Sequence, residues 1–461
     1  MIADIKNFIY KNSPLPLQNL AITFYGYQWK KRRFGGIYRQ EYEGYRQREV
    51  FTPPQWESYQ NQHLNKLLLH AVSKVPYYKE AFNGIDINAV DIHSLHKLPL
   101  LEKNTLRKLG ETTLLSTSKE PGGEFYSSSG STGTPTKILF SAAMHQRWSA
   151  AFEARIRNWA GLSINNARGM IGGRRIVSDG ESEGPFYRYN RIEKQVYFSA
   201  YHISEKNAAN YVEAMHKYKT DYMTGYAMSN YFLARFIEKK NLHAPTLKAV
   251  ITSSEKLTME MRETFERVYG CKSFDSYSGV EACGLISECE KGKLHISPDV
   301  AIIEIIKADG SYAKPGEEGE AVCTGFLNYD QPLIRYKIGD VLRLSKQQTC
   351  ECGRHMPVVD EIIGRTEDTV IGPDGREMVR FHGIFVGIPS IIEGQVIQHT
   401  LTDFEIRLVL HKSLEAREQE LIDTRMRSQL GNIKVTTSIV NSIPRNQNGK
   451  FKAVISYVKR S

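Results

Sequence analysis

Between Tyr126 and Phe140 the chain reads Y-S-S-S-G-S-T-G-T-P-T-K-I-L-F, and no other stretch restricts its fold and chemistry as strongly. Glycines let a backbone turn and bring its N–H groups close to an anion. The Ser and Thr hydroxyls add donors, and Lys137 adds a point charge of the kind that suits a polyphosphate. The run ends in Lys137-Ile138-Leu139-Phe140, which reads as a strand. It is not a Walker A loop, which needs G-x-x-x-x-G-K-[ST] at the start of a helix. Five positions after Gly130 stands Pro135. Taken alone, the segment is either a phosphate cradle or an ordinary Ser/Gly-rich surface loop.

The 461 residues are about three times the ~150-residue prior for a domain, so two or three domains are expected. Apolar residues at 41% and charged residues at 24% exclude a mostly disordered or collagen-like chain. No apolar run approaches the ~20 residues of a membrane span; the stretch from Leu17 to Trp29 is broken by Gln18, Asn19, Thr23 and Gly26. The N-terminus lacks the order of a signal peptide, so a cytoplasmic location is expected.

Helical periodicity over 55–85 places Leu64, Leu67, Leu68 and Val72 on one face, with Pro76 as the stop. Residues 204–240 read as two helices around Thr224-Gly225-Tyr226, followed by strands at Lys248–Thr252, Val300–Ile306 and Glu320–Thr324. Alternation of this kind predicts an α/β core. After Gly364-Arg365 the texture changes: a hairpin signal at Pro373-Asp374-Gly375, strands at Ile391–His399 and Phe404–Leu410, a charged helix at Leu414–Leu430, and a strand at Lys434–Val440. The expected organisation is a large domain over 1–364, opening with a basic helical leader over 1–85, and a small α+β domain over 365–461.

Lys and Arg exceed Asp and Glu by 61 − 51 = 10, giving a pI near 9.1. Residues 1–50 hold nine basic and four acidic side chains, so about half the excess lies there, in Lys30-Lys31-Arg32-Arg33, Arg39, Arg46 and Arg48. That run is either a solvated face or an arm for an anionic membrane surface or an acidic partner. No nucleic-acid motif accompanies it, and no nucleic-acid partner is expected.

The stretch Ser127–Lys137 resembles the phosphate-binding loop of adenylate-forming enzymes (acyl-CoA synthetases, peptide-synthetase adenylation domains, luciferases). Tyr277-Ser278-Gly279-Val280-Glu281 is similar to their tyrosine–glutamate motif. Arg335-Tyr336-Lys337-Ile338-Gly339-Asp340 resembles the ribose-binding motif, Gly364-Arg365-Thr366-Glu367-Asp368 the domain hinge, and Pro444-Arg445-Asn446-Gln447-Asn448-Gly449-Lys450 the loop of the catalytic lysine. Val75-Pro76-Tyr77-Tyr78, Thr224-Gly225-Tyr226 and Cys350-Glu351-Cys352-Gly353-Arg354 resemble the phenylacetate–CoA ligase-like branch, which includes capsule-biosynthesis members. The motifs occur in the family's order and span nearly the whole chain.

The resemblance implies an α/β large domain with mixed sheets, a mobile α+β C-terminal domain, and activation of a carboxylic acid by attack on the α-phosphorus of Mg·ATP. An acyl-adenylate and pyrophosphate form; the acyl group then passes to coenzyme A, or to an amine or hydroxyl as in surface-polysaccharide decoration. A scaffold with little turnover is the alternative of a different class. The implied partners are a small carboxylic acid and a nucleotide, with peripheral contact to membrane-bound glycan machinery and a homodimer left open.

By the same resemblance, Ser128, Ser129, Gly130, Ser131, Thr132 and Gly133 hold the β- and γ-phosphates and Lys137 neutralises them. Glu281 helps hold Mg²⁺, and Asp340 accepts from the ribose hydroxyls. Arg365 reaches ribose or phosphate. Tyr277 stacks on adenine, with Asp275 or the backbone near it reading the exocyclic amine, and Ser253-Ser254-Glu255 lines the base. Lys450 is the catalytic cation, Glu367 the hinge, and His202, Tyr226 and Ala227 line the acyl pocket. The chain departs from the pattern at Ser278 and Val280, where relatives usually carry Gly and a hydroxyl residue.

Six cysteines are far too few for a disulfide scaffold. Cys350-x-Cys352 with Cys289 and His295 make a Cys₃His set suited to tetrahedral Zn²⁺, the alternative being buried free thiols. The same positions carry Cys and His in the phenylacetate–CoA ligase-like branch.

Overall fold

The computed structural model describes residues 10, 13–127, 136–174, 176–177, 183–365, 370–373, 377–378, 384–385, 388–410, 412–444 and 452–458, with the side chains of residues 365, 377, 378 and 429 left aside. Two compact units divide the chain: residues 1–338 with 342–362, and residues 339–341 with 363–461.

Among the described residues, the large unit opens on four helices: α1 (Leu15–Phe34), α2 (Tyr38–Arg48), α3 (Pro53–Lys74) and α4 (Pro76–Ala81). The start of α3 is dictated locally. Pro53 stands where the helix needs no N–H donor, and Thr52 and Gln55 form a capping box with Thr52 N–H donating to Gln55 Oε1 at 2.8 Å. Trp56, Leu64, Leu67, Leu68 and Ala71 make its buried stripe. Val75 is forced out of the helical region by Pro76, which separates α3 from α4.

There follow α5 (Lys103–Leu109), the hairpin β1 (Glu124–Ser127) and β2 (Lys137–Phe140), and α6 (Ala142–Phe152), prolonged by a π-turn over Glu153–Arg157. The strand expected after the serine-rich loop is thus β2. Then come β3 (Arg168–Gly172), β4 (Tyr187–Asn190), β5 (Gln195–Ser199), α7 (Ala208–Lys217), β6 (Tyr222–Tyr226), α8 (Ala227–Lys239), β7 (Ala249–Ser253), α9 (Met259–Tyr269) and β8 (Ser273–Ser278). Thr224-Gly225-Tyr226, expected as the turn between two helices, instead ends the buried strand β6, with the helices on either side of it. After β8 the chain runs through β9 (Leu285–Glu288), β10 (Leu294–Ile296), β11 (Ala301–Ile306), β12 (Glu318–Gly325), β13 (Tyr336–Leu344) and β14 (Val358–Arg365).

Among the described residues these strands form one 12-stranded sheet, ordered β11-β12-β13-β14-β10-β9-β8-β7-β6-β3-β5-β4. The neighbours β8, β7, β6, β3 and β5 are all parallel, while β9 and β4 run antiparallel at either side of that block. Parallel strands need crossovers: α7 carries the chain from β5 to β6, α8 from β6 to β7 and α9 from β7 to β8, while β3 reaches β5 by way of β4.

In the small unit, β15 (Val370–Ile371) pairs antiparallel with β16 (Glu377–Met378), the two lying on either side of Pro373-Asp374-Gly375 in the sequence. A second sheet of β17 (Ile391–Gln398), β18 (Asp403–Leu410), β19 (Lys434–Ile439) and β20 (Val454–Ser456), ordered β19-β18-β17-β20, carries α10 (Ala416–Leu430). Val396, Phe404, Ile406 and Leu408 join Ile422, Met426 and Leu430 in a core of its own.

Most arginines of the basic leader are tied to partners within the protein, Arg39 being the exposed exception. Arg33 pairs with Glu193, Arg46 with Glu49 and Arg48 with Asp299, while Arg32 donates to His145 Nδ1, Gly122 O and Phe140 O. The densest knot surrounds Arg155, fully buried on the π-turn: its guanidinium donates to Asp299 Oδ2 at 2.8 Å, Glu49 Oε1 at 3.1 Å and Tyr45 O at 2.9 Å. Removing the cation leaves two carboxylates without their shared counter-charge. Arg155→Ala is expected to lower unfolding free energy by about 3–5 kcal/mol in urea denaturation, and Arg39→Ala, whose partner Glu43 is solvent-exposed, by less than about 1 kcal/mol.

Candidate functional site

Each parallel strand ends at the same edge of the sheet, and the candidate residues of the large unit collect there. The registers Gly172↔Ser199, Ile171↔Gly225, Tyr226↔Ser253 and Ser253↔Ser276 align the C-terminal ends of β3, β5, β6, β7 and β8. At these ends or just beyond them lie His202, Tyr226, Ala227, Ser254, Glu255, Tyr277 and Glu281. Open α/β sheets bind ligands at this edge.

Two backbone constraints shape it. Gly225 sits at φ 123°, and a Cβ there would stand 1.8 Å from Ile171 O, so strands β6 and β3 meet at that point only through glycine. Ser254 is held at φ 70°, a left-handed conformation uncommon for a side-chain-bearing residue. It turns the chain so that Glu255 Oε2 accepts the Met228 N–H at 2.8 Å, at the start of α8. Tyr226 lies beside it; burial, then the charge of Glu255, pushes its phenol up to about 12. Tyr201 OH donates to Gly173 O at 3.0 Å, and the Gly173 backbone also meets the Tyr226 hydroxyl. Ala227 is fully buried. His202 Nδ1 lies 2.7 Å from Ser199 Oγ, and its ring stacks on Phe186 at 4.9 Å.

Glu281 is buried in the turn after β8; no helix begins there to account for its charge. Its Oε1 accepts from Thr136 Oγ1 at 3.2 Å, which joins the turn to the last described residue of the serine-rich loop. Gly279 makes the room: a Cβ there would lie 2.5 Å from Glu281 Oε2. Thr136 was missed as a contact residue although it lies within the segment that carries the strongest signal. Tyr277 is half-buried against the main core. Lys137 forms a half-exposed pair with Glu111 at 2.9 Å, an interaction of a kind weak enough to be exchanged for another anion.

Arg335 is spoken for: it is buried, donates to both oxygens of Glu304 at 3.0 Å, and donates to Leu98 O. In the small unit, Asp340 is buried on β13 next to Gly339, whose φ is 85°. Arg365 ends β14. Ser128, Ser129, Gly130, Ser131, Thr132, Gly133, Glu367 and Lys450 lie outside the described residues.

A second constellation is separate from the sheet edge. Cys289 follows β9, His295 lies on β10, and Cys350 and Cys352 come from the β13–β14 connection; their donor atoms all fall within 4.8 Å of one another. Cys289 Sγ and Cys350 Sγ are 3.7 Å apart, against about 3.8 Å for two thiolates on tetrahedral zinc with 2.3 Å bonds. His295 Nδ1 lies 3.3 Å from Met356 O, which leaves Nε2 facing Cys352 Sγ at 3.4 Å.

Asp275 faces the same side of β8 as Tyr277. Its N–H donates to Glu288 Oε2 at 2.7 Å, and Glu288 pairs with Arg262 at 2.8 Å. Burial, reinforced by Glu288, raises the Asp275 carboxyl to about 7. A carboxyl raised above its unfolded value contributes stability below the unfolded pKa, and that contribution is lost as pH rises through about 7. Thermal melts are therefore expected to show wild-type Tm falling between about pH 5 and pH 8, and Asp275→Asn flattening that fall.

The profile of the CapK C-terminal domain matches residues 370–457. Protein CapK of Staphylococcus aureus is 25% identical over 98% of this chain and 100% of its own length. Phenylacetate-coenzyme A ligase of Thermus thermophilus is 23% identical over 87% of this chain and 96% of its own. Among solved structures, 2-hydroxyisobutyryl-CoA ligase in the postadenylation state superposes with a TM-score of 0.70 at 17% identity, covering 90% of this chain and 92% of that one. The chain is thus homologous along its length to CapK and to the phenylacetate-coenzyme A ligases, and it carries the fold of the adenylate-forming ligases.

Proposed function

We infer that this adenylate-forming ligase joins a carboxylic acid to AMP, releasing pyrophosphate, and then passes the acyl group to coenzyme A. The observation that carries this reading is the juxtaposition of the serine-rich loop, through Thr136, with the buried carboxylate of Glu281 at the C-terminal edge of the parallel strands. Mg·ATP is the nucleotide substrate. Hydroxyls and N–H groups from Ser128 to Gly133, with Lys137, take the β- and γ-phosphates, and Glu281 is the hard carboxylate for Mg²⁺. Tyr277 and Ser254 border the base, with Asp275 near it, and Asp340 and Arg365 serve the ribose. His202, Tyr226 and Ala227 border the acyl group. Lys450 supplies the cation between two anions that repel each other, the incoming carboxylate and the α-phosphate, and Glu367 is the pivot between half-reactions. The role of Lys450 is electrostatic, so Lys450→Ala is expected to slow ATP–pyrophosphate exchange by about 10²- to 10³-fold. Exchange at the wild-type rate would remove that assignment.

A second reading of the acceptor, an amine or hydroxyl of a surface polysaccharide, follows from the resemblance of Val75–Tyr78, Thr224–Tyr226 and Cys350–Arg354 to the branch that includes capsule-biosynthesis members. Exchange screened over aryl acids, fatty acids and amino acids, then supplemented with coenzyme A, separates the two. Thioester formation supports the first reading, adenylate turnover without a thioester supports the second, and no exchange with any acid leaves a scaffold.

The Cys₃His set is proposed to hold a structural Zn²⁺, tying the β13–β14 connection to β9 and β10. Its four ligands leave no open position for chemistry. Elemental analysis of the purified protein is expected to find about one zinc per chain. Cys350→Ser is expected to lose the metal and several degrees of Tm, and equal Tm with and without chelator would exclude a structural ion.

A further inference from the structure

The helix α1 is docked inside out. Its polar side faces the protein: buried Gln18 accepts from Arg188, Asn19 Oδ1 accepts the Tyr189 N–H at 2.9 Å, and Thr23 Oγ1 accepts the Arg191 N–H at 3.2 Å. Gly26 admits Asn190, whose carboxamide a Cβ would meet at 2.1 Å. Because β4 is the edge strand of the large sheet, these side chains satisfy N–H groups that an edge otherwise offers to another chain. The inward face continues into Arg32 and Arg33, both bonded within the protein.

The outward face reverses the usual pattern of a surface helix, which is polar toward water. Leu17, Leu20, Phe24 and Tyr27 recur at three- and four-residue steps and are 54%, 63%, 64% and 56% exposed. The stripe runs into exposed Lys31, with Lys30 beside it. Lys30 Nζ lies 3.4 Å from Ile192 O, which brings the β4–β5 turn and its exposed Arg191, Ile192 and Lys194 to the same end. No acidic residue occurs between Leu15 and Gln40.

We propose that this face docks on an anionic lipid bilayer, with α1 lying in the plane of the interface. Leu17, Leu20 and Phe24 enter the boundary of the acyl chains, Tyr27 sits at headgroup level, and the lysines with Arg191 meet lipid phosphates. A second copy of the chain would cover the apolar stripe equally well, but α1 offers no carboxylate for these cations, whereas an anionic surface satisfies stripe and cations together. The proposal stands on the leader alone and is independent of which acid or acceptor the active site takes.

The test is sedimentation of the purified full chain with phosphatidylcholine vesicles, with and without phosphatidylglycerol, beside light scattering without lipid. The wild type is expected to pellet with the phosphatidylglycerol vesicles, to stay in solution with phosphatidylcholine alone, and to be released by salt. Leu20→Ser/Phe24→Ser should weaken partitioning by about tenfold or more at unchanged Tm, since both side chains face out. Lys30→Gln/Lys31→Gln should weaken it and reduce its salt dependence. Failure of the wild type to pellet, equal pelleting by the Leu20→Ser/Phe24→Ser variant, or a dimer in solution that this variant dissociates would overturn the proposal, the last by assigning the face to a second copy.

Discussion

Five parallel strands side by side impose the constraint on which the rest depends. A parallel strand cannot be reached by a tight turn, so the chain leaves all five at one edge, and from β5, β6 and β7 it returns to the other through α7, α8 and α9. Whatever residues follow those strands are gathered along one line, however far apart they are in sequence. His202, Tyr226, Ser254, Tyr277 and Glu281 span about eighty positions and become neighbours along the sheet for this reason alone. The close approach at Gly225 and the left-handed turn at Ser254 are local costs of holding that line.

The same logic explains which parts were legible in the sequence. The hairpin strand after the serine-rich loop and most of the small unit announce themselves through local rules: alternation in β18, a charged amphipathic α10, a Pro-Asp-Gly signal between β15 and β16; the short β20 does not. Of the central parallel strands only β7 announces itself in this way, as an apolar run. Gln195–Ser199 is bounded by Gln195 and Ser199, and Ser273–Ser278 holds four polar residues in six, yet no residue of either is exposed, because neighbouring strands and helices cover them. Their strand character is a property of the assembled sheet, not of the segment. The basic leader shows the same limit of local rules. Charge counted along the sequence says nothing of direction, and Arg32, Arg33, Arg46 and Arg48 point to internal partners while the apolar side chains between them and the N-terminus point out.

The Cys₃His cluster and the buried ion network form one continuous region. Trp159 meets His295 edge-on at 5.8 Å and lies under the Arg354 guanidinium at 4.5 Å, while its Nε1 donates to Glu49. Glu49 also serves Arg155, which serves Asp299, which serves Arg48 on α2. A buried carboxylate shared in this way is satisfied only when all its donors are in place. The leader helices are therefore fastened to the main sheet by charges whose geometry depends on the same packing that brings the cysteines together.

Val280 breaks the tyrosine–glutamate pattern that this stretch of the sequence resembles. Relatives usually place a hydroxyl next to the motif glutamate, and valine removes it. Val280 instead packs against the main core, where a methyl-bearing side chain lowers the cost of burying the turn. The hydroxyl beside Glu281 comes from Thr136, across 145 residues of sequence, at the end of the serine-rich loop. A carboxylate held by a neighbour on its own turn answers only to that turn. One held by Thr136 answers also to a residue outside its turn, at the start of the β2 hairpin strand, so the two segments fix that carboxylate together.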